Sequence, residues 1–427
     1  MISNLNFLSL TDKTLIQQVM NLNCFKEKVI IILLVLVFII TMGFNSNIPE
    51  FFNKYDFSGT NSLFIEKING LKFYWITNKK DIGVYELISS DNSIILKGNT
   101  DSGRVHSVFI DYKIKEKVIF RFGGQNESIS QVKLRSKSHH TISIFKNVDS
   151  IYVVGDVHGR YDQLINLLEK SHIINKELNW IAGNSSLVFL GDLFDRGNDV
   201  TKVLWFIYEL EEKAEIAGGK VHLVLGNHEI MIMSKDLRYL GNKESAIAGA
   251  YHLKYDYFFH PKASFLGSWL SSKPSVLKIG NNLFAHGGIV DLGTSSIKEF
   301  NQTVKSYLQD PIFLEIMEVK PDSSKYDPQA WINMKYFFYN DESPFWYRGY
   351  VYYDTLGPQL NSMLRKYKSK THIVAHTPLE AITKRYKGKL LTTDLNEAAT
   401  QLLLLVRNKR KYSAYKIDSS GLISELK

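Results

Sequence analysis

The sequence predicts a mixed α/β (α+β) fold, and three blocks carry that prediction: 151–160 (IYVVGDVHGR), 187–197 (LVFLGDLFDRG) and 221–229 (VHLVLGNHE). Each opens with four or five mostly apolar residues rich in β-branched types and stops at a glycine followed by a ligand-type residue, the pattern of a buried strand running into a loop. Between the first two, 161–171 (YDQLINLLEKS) places Leu164, Leu167 and Leu168 at helical spacing. Between the second and third, 200–214 (VTKVLWFIYELEEKA) carries Val203, Leu204, Ile207 and Leu210 on one face. Strand, helix, strand, helix, strand is a layered arrangement in which ligand sites gather outside the carboxyl ends of the strands.

Two later clusters, 282–289 (NLFAHGGI) and 371–378 (THIVAHTP), also end an apolar run at a histidine. The residues at these five strand ends suit divalent ions. Hydrolytic metal pairs take mixed imidazole and carboxylate ligands, and ions roughly 3.5–4 Å apart clamp both the attacking and the departing oxygen. Asp156 and His158, on alternate residues of one loop, suit a first metal; Asp192 is the candidate bridge. Asn227, His286 and His376 would complete the second, with a hydroxide shared by both ions. Such a ligand set suits Mn and Fe and admits Zn.

Gly155-Asp156-Val157-His158-Gly159, Gly191-Asp192-Leu193-Phe194-Asp195-Arg196-Gly197 and Gly226-Asn227-His228-Glu229, followed by His286 and His376, reproduce in order the motifs GDxHG, GDxxDRG, GNHE and two separated histidines. Over roughly residues 150–400 the chain therefore resembles the metal-dependent phosphoprotein phosphatases of the calcineurin-like metallophosphoesterase superfamily. Within that family it looks most like the bacterial-type Shewanella-like phosphatases, through 233–239 (MSKDLRY) and 343–349 (SPFWYRG), the latter similar to an SPxWxRG segment. Lys235 departs from the glycine expected there.

The resemblance implies a central β-sandwich flanked by helices and a two-metal phosphomonoesterase acting on phosphorylated protein, at serine/threonine, tyrosine or both. It implies that Arg196 and Arg348 clamp phosphate oxygens through their planar forks, with Asn227 also at the phosphate. It implies that His228 is the general acid, held protonated by Asp195. Two other functions share these residues: hydrolysis of a dinucleoside polyphosphate, and a metal-stabilised binding module without turnover. His372, four residues before His376, reads as a core or outer-sphere histidine, Glu229 and Arg160 as residues that orient loops, and Asp236 with Arg238 as an ordering contact or surface ion pair.

Length and composition set the context: 427 residues with 44% hydrophobic content support a full core plus an accessory unit. The run 29–44 (VIIILLVLVFIITMGF) is uncharged and preceded by Lys26 and Lys28, which predicts a transmembrane signal anchor with residues 1–28 in the cytoplasm and the body outside it. A cleaved signal peptide leaving a secreted or periplasmic protein is the alternative. The one cysteine, Cys24, precedes this run, so no disulfides are expected. Residues 45–147 form a β-rich accessory segment with short strands expected at 71–77, 83–88, 93–97, 104–114, 117–122 and 141–146, together a small sandwich. Residues 148–427 form the metallophosphatase domain, with a helical insert at about 230–274 over the site mouth and strands at 401–406 and 412–417 near the end. The net charge of +9 favours anionic substrates or a lipid surface, but the basic residues are dispersed, so nucleic acid is not an expected partner.

Overall fold

Ahead of the ligand-bearing blocks, the computed structural model, which describes residues 54–135, 142–318, 320, 322–409 and 411–426, builds an antiparallel sheet. Its strands are β1 (Phe64–Glu66), β2 (Leu71–Ile88), β3 (Ile94–Ile110), β4 (Val118–Gly124) and β5 (Ser130–Leu134), ordered β1-β2-β4-β5 with β3 along the other side of β2. β2 and β3 each fuse two of the short strands read from the sequence. The polar Asn78-Lys79-Lys80 run that suggested a turn is absorbed as a register shift between Ile76 and Asp81. Its amides are satisfied sideways, Asn78 N and Lys79 N donating to the Glu127 carboxylate at 3.3 and 2.8 Å. This segment is thus one sheet, not the expected sandwich. Its last expected strand also leaves it: β6 (Ile144–Phe145) pairs in parallel with β10 (Val276–Ile279) of a later sheet.

Two six-stranded sheets follow. One runs β17-β16-β15-β7-β8-β9, from β7 (Ser150–Val154), β8 (Ser186–Phe189), β9 (Lys220–Leu223), β15 (Gln401–Asn408), β16 (Lys411–Asp418) and β17 (Ile423–Glu425). The other runs β13-β14-β12-β11-β10-β6, with β11 (Asn282–Ala285), β12 (Thr371–Val374), β13 (Thr383–Arg385) and β14 (Leu390–Thr392). Ile151, Val153, Val188 and Leu403 of the first share one buried cluster with Leu277, Phe284, Ile373 and Leu391 of the second, so the sheets pack face to face as a sandwich. Each such side chain contributes about 1.5–3 kcal/mol on full burial. Because β7, β8 and β9 are mutually parallel, as are β11 and β12, their carboxyl ends gather as two sets, one from each sheet.

Helices α1 (Tyr161–Lys170) and α2 (Val200–Ile216) bury the faces read from the sequence, Leu164, Leu167 and Leu168 on α1 and Val203, Leu204, Ile207 and Leu210 on α2. The insert is helical as expected: α3 (Asn227–Met233), α4 (Asn242–Tyr251), a 3-10 turn over Tyr255–Phe259 and α5 (Phe265–Leu270). Then come α6 (Ile297–Leu308), α7 (Pro328–Tyr339), α8 (Gly349–Tyr352) and α9 (Gly357–Lys366). The first sheet is locked to this body, within one compact unit spanning Phe57–Lys427. Phe64 stacks on Phe258 (4.2 Å between centroids, 27°), and the Trp205 indole donates to Leu63 O at 2.9 Å. The apolar run 29–44 and the segment before it lie outside the described residues; among the described residues no helix is long and apolar enough to cross a membrane.

Candidate metal centre

The five predicted strand ends deliver their side chains to one buried cluster. Asp156 and His158 follow β7, Asp192 and Asp195 follow β8, Asn227 and His228 open α3 just beyond β9, and His286 and His376 follow β11 and β12. Apart from exposed Arg196 and half-buried Arg348, every expected site residue is buried. Five of them hold left-handed backbone, with φ of 47° at His158, 50° at Asp192, 67° at Asp195, 64° at Arg196 and 64° at His376. Such conformations cost roughly 1–3 kcal/mol each in non-glycine residues, and they persist where surrounding packing over-determines them. Gly191 (φ 92°) makes the close approach of two loops feasible, since a Cβ there would overlap the Gly226 backbone.

Glu229 ties the same loops together. Its buried carboxylate accepts the backbone N–H groups of Asp192 (2.8 Å), Leu193 (2.8 Å) and Gly226 (2.7 Å), the loop-orienting role read from the sequence. His372 is likewise internal: Nδ1 faces Leu283 O at 3.1 Å and Nε2 accepts Ile289 N at 3.1 Å, while burial lowers its pKa to about 4. Asp236 and Arg238 form a two-pronged ion pair in the insert, with Asp236 inside and Arg238 in solvent.

Two triads of potential ligand atoms, each within 4.8 Å, share Asp192: His158 with Asp192 and His228, and Asp192 with His286 and His376. Asp156 lies alongside both, 3.7 Å from His158 Nε2 and 3.8 Å from His286 Nδ1. The donor arrangement fits cations better than protons. His158 and His286 present their Nδ1 atoms to the Phe194 and Leu190 carbonyls at 2.6 and 2.7 Å, which turns each Nε2 toward the cluster. His286 Nε2 then meets Asn227 Oδ1 (2.8 Å), His376 Nδ1 (3.1 Å) and Asp192 Oδ2 (3.2 Å), three polar atoms that one N–H cannot serve. His158 Nε2 and His376 Nε2 are buried with no hydrogen-bond partner. A buried, unpaired imidazole nitrogen that faces two carboxylates, as His158 Nε2 does, has the donor chemistry of a metal ligand.

The electrostatics agree. Burial would lift Asp192, yet His286, His228 and His158 hold its pKa well below the usual carboxylate range. Burial would lower His286, but Asp192 and Asp156 push it up to about 10, so the cluster demands positive charge that a divalent ion would supply in place of a proton. His376 is driven well below its ordinary value by burial, by His286 and by Arg348, whose guanidinium charge therefore reaches the site. The expected SPFWYRG segment is strapped to the loop after His286: Gly287 N donates to Pro344 O (2.7 Å) and Gly288 N to Tyr347 O (2.8 Å). Trp346 meets His376 edge-on at 5.7 Å.

His228 stands beside the cluster. Its Nδ1 is paired with Asp195 Oδ2, its backbone N–H donates to Asp192 Oδ1 at 3.0 Å, and its Nε2 lies 3.7 Å from Asp192 Oδ2. Burial opposes its charge, but Asp192 and Asp195 together raise its pKa. Tyr239, 51% exposed, tilts over the same ring at 5.3 Å.

Sequence reasoning missed two carboxylates. Asp394 is buried beyond β14, and burial together with neighbouring Asp156 pushes its pKa up to about 9. Its signal was present, since 390–394 (LLTTD) ends a strand at an aspartate as the recognised blocks do. Glu244, in the first turn of α4, is buried with Oε2 unpaired, and burial lifts it to about 7 with Asp195 and Asp199 contributing.

The model of the calcineurin-like phosphoesterase family matches residues 150–380. A protein named Shewanella-like protein phosphatase 1, from Plasmodium berghei (strain Anka), is 27% identical over 300 residues, covering 69% of this chain and 75% of its own length. A symmetrical bis(5'-nucleosyl)-tetraphosphatase of Vibrio cholerae is 29% identical over 187 residues, 42% of this chain and 59% of its own. Among solved structures, the cold-active protein-tyrosine phosphatase of a psychrophile Shewanella sp. superposes with a TM-score of 0.65 at 24% identity, covering 86% of this chain and 98% of that one; the two share a fold.

Proposed function

This chain belongs to the calcineurin-like phosphoesterases, and from that premise we propose that it is a two-metal phosphomonoesterase whose substrates are phosphorylated proteins. The observation that carries the reading is the Asp192 carboxylate placed between His158 on one side and His286 and His376 on the other, with His228, whose Nδ1 is taken by Asp195, left beside it as a proton donor and not as a ligand. In this reading Asp156, His158 and Asp192 would hold one divalent ion, and Asp192, Asn227, His286 and His376 the other. Bound there, the ions would supply Lewis acidity toward the phosphoryl group and the attacking water.

The chain's own residues account for the rest. Arg196 and Arg348 neutralise equatorial phosphoryl oxygens with fixed forks of N–H donors. As the bond between phosphorus and the leaving oxygen breaks, His228 gives that oxygen the proton on Nε2. Asp195, on Nδ1, fixes the ring orientation and stabilises its charged form until donation. Asp192 and Asp195 raise the His228 pKa against the effect of burial, which favours the protonated state a donor needs.

The relatives named as protein phosphatases support a phosphoprotein substrate, and the half-exposed Tyr239 ring over His228 favours an aromatic leaving group, hence phosphotyrosine. The test is metal-dependent phosphate release by the full chain from phosphoserine, phosphothreonine and phosphotyrosine peptides beside a dinucleoside tetraphosphate. His228→Ala, Asp192→Asn and Tyr239→Ala serve as variants. Mn-stimulated peptide turnover that collapses in the first two supports the reading. Turnover of the tetraphosphate alone moves the function to nucleotide hydrolysis, and tight metal binding with no turnover to a binding module.

Residues 29–44 support, from the sequence alone, an anchor that holds the catalytic body outside the cytoplasm. Release of the chain by alkaline extraction of membranes would overturn it.

A further inference from the structure

The first antiparallel sheet and helices α2, α5 and α6 line an open cavity of about 770 Å³, to which none of the candidate metal ligands contributes. Its size falls in the range of small-molecule sites, roughly 300–1,000 Å³. Five cations from separate stretches of chain line it: Lys67 before β2, Lys113 after β3, Arg135 after β5, Lys262 before α5 and Lys305 on α6. No aspartate or glutamate lines it. Among the described residues the four lysines form no ion pair with a carboxylate. Folding therefore gathers like charges that repel one another, a cost that a bound anion would offset.

Arg135 is built in, not dangling. Its Nε donates to Tyr208 Oη at 3.2 Å, its Nη2 to Tyr208 O at 2.6 Å, and its guanidinium lies 4.3 Å above the Tyr208 ring centroid. Glu211 and Glu212, the carboxylates nearest in charge to Arg135, are engaged by Lys273 and Lys117. The buried rings of Phe265 and Trp269 form an apolar floor. A guanidinium held in place among four exposed lysines suits a tetrahedral oxyanion, and five positive charges exceed what one singly charged group can balance.

We propose that this cavity is a second ligand site, separate from the metal centre, that binds a small multiply phosphorylated anion. The test is calorimetric titration of the full chain with inorganic tripolyphosphate at about 0.15 M salt, where long-range attraction is screened. An Asp192→Asn background disables the metal centre. Saturable 1:1 binding is expected there, weakened at least tenfold by the surface changes Lys113→Gln, Lys262→Gln and Lys305→Gln combined, which leave the Arg135 contacts in place. The same number of neutralisations at exposed Lys170, Lys176 and Lys411 should leave the affinity unchanged. Absence of saturable binding, or an equal loss in both triple variants, overturns the proposal, the latter because it reports only bulk charge.

Discussion

Asp195 holds the His228 imidazole at Nδ1, while Nε2 of the same ring sits 3.7 Å from the Asp192 carboxylate. One aspartate thus orients the ring and another draws its opposite nitrogen toward the reacting centre. A ring held this way has one orientation and one direction of proton delivery. A merely structural histidine such as His372 has both nitrogens spent on backbone groups.

If His228 donates the proton, its value depends on how much the leaving oxygen needs one. His228→Ala is expected to lower kcat by about 10²–10⁴-fold for an alkyl phosphate such as phosphoserine peptide. The loss should be far smaller for p-nitrophenyl phosphate, whose phenolate departs without help. Asp195→Asn should show the same leaving-group dependence in milder form. An equal loss on both substrates would show that His228 serves binding instead.

The sharing of Asp192 has a stoichiometric consequence. His158 and His376 each belong to one triad only, whereas Asp192 belongs to both. Metal analysis of the manganese-loaded protein should give two ions per chain, about one in His158→Ala or His376→Ala, and fewer than one in Asp192→Asn. Two retained ions in Asp192→Asn would remove it as the bridge.

Glu229 is expected to matter for stability before catalysis. Three buried N–H groups converge on its carboxylate, from two loops that must stay together. In Glu229→Gln the amide NH₂ would replace one acceptor oxygen and face a donor, leaving at least one buried N–H unsatisfied. That change should cost about 1–3 kcal/mol, read from denaturant unfolding of the metal-free protein so that ligand loss does not contribute. An unchanged midpoint would mean that the loops are held by something else.

Much of the centre was legible because its residues are local signals: each ligand lies within a few positions of the end of an apolar run, and strand direction does the gathering. Asp192 and His286 meet although far apart in sequence, simply because both follow strands that end at one edge. What the sequence hid depends on contacts between distant segments. Glu244 and Tyr239 look like ordinary insert residues until α4 and the loop before it fold back over Asp195 and His228. The first sheet was misread for the same reason: Asn78 and Lys79 resemble a turn, and only Glu127, 48 or more residues on, supplies the bonds that keep them in a strand. The short strand at Ile144–Phe145 found its partner in β10, which no local pattern announces.

Glu244 gives the clearest pH prediction, because it lies away from the ligand atoms. Its carboxyl is lifted from an ordinary 4.5 to about 7 by burial, with Asp195 and Asp199 adding to the shift and Lys243 opposing it. A carboxyl with a raised folded pKa binds its proton more tightly in the native than in the unfolded chain. Its stabilising contribution is therefore complete below about pH 4.5 and disappears as pH rises to about 7, a change of about 3 kcal/mol. Glu244→Gln keeps the shape and removes the titration. The difference in unfolding free energy between variant and parent should thus grow in the variant's favour from pH 4.5 to 7 and be flat above pH 8. A difference independent of pH over that range would mean that Glu244 is ionised in the folded protein, with Lys243 balancing it.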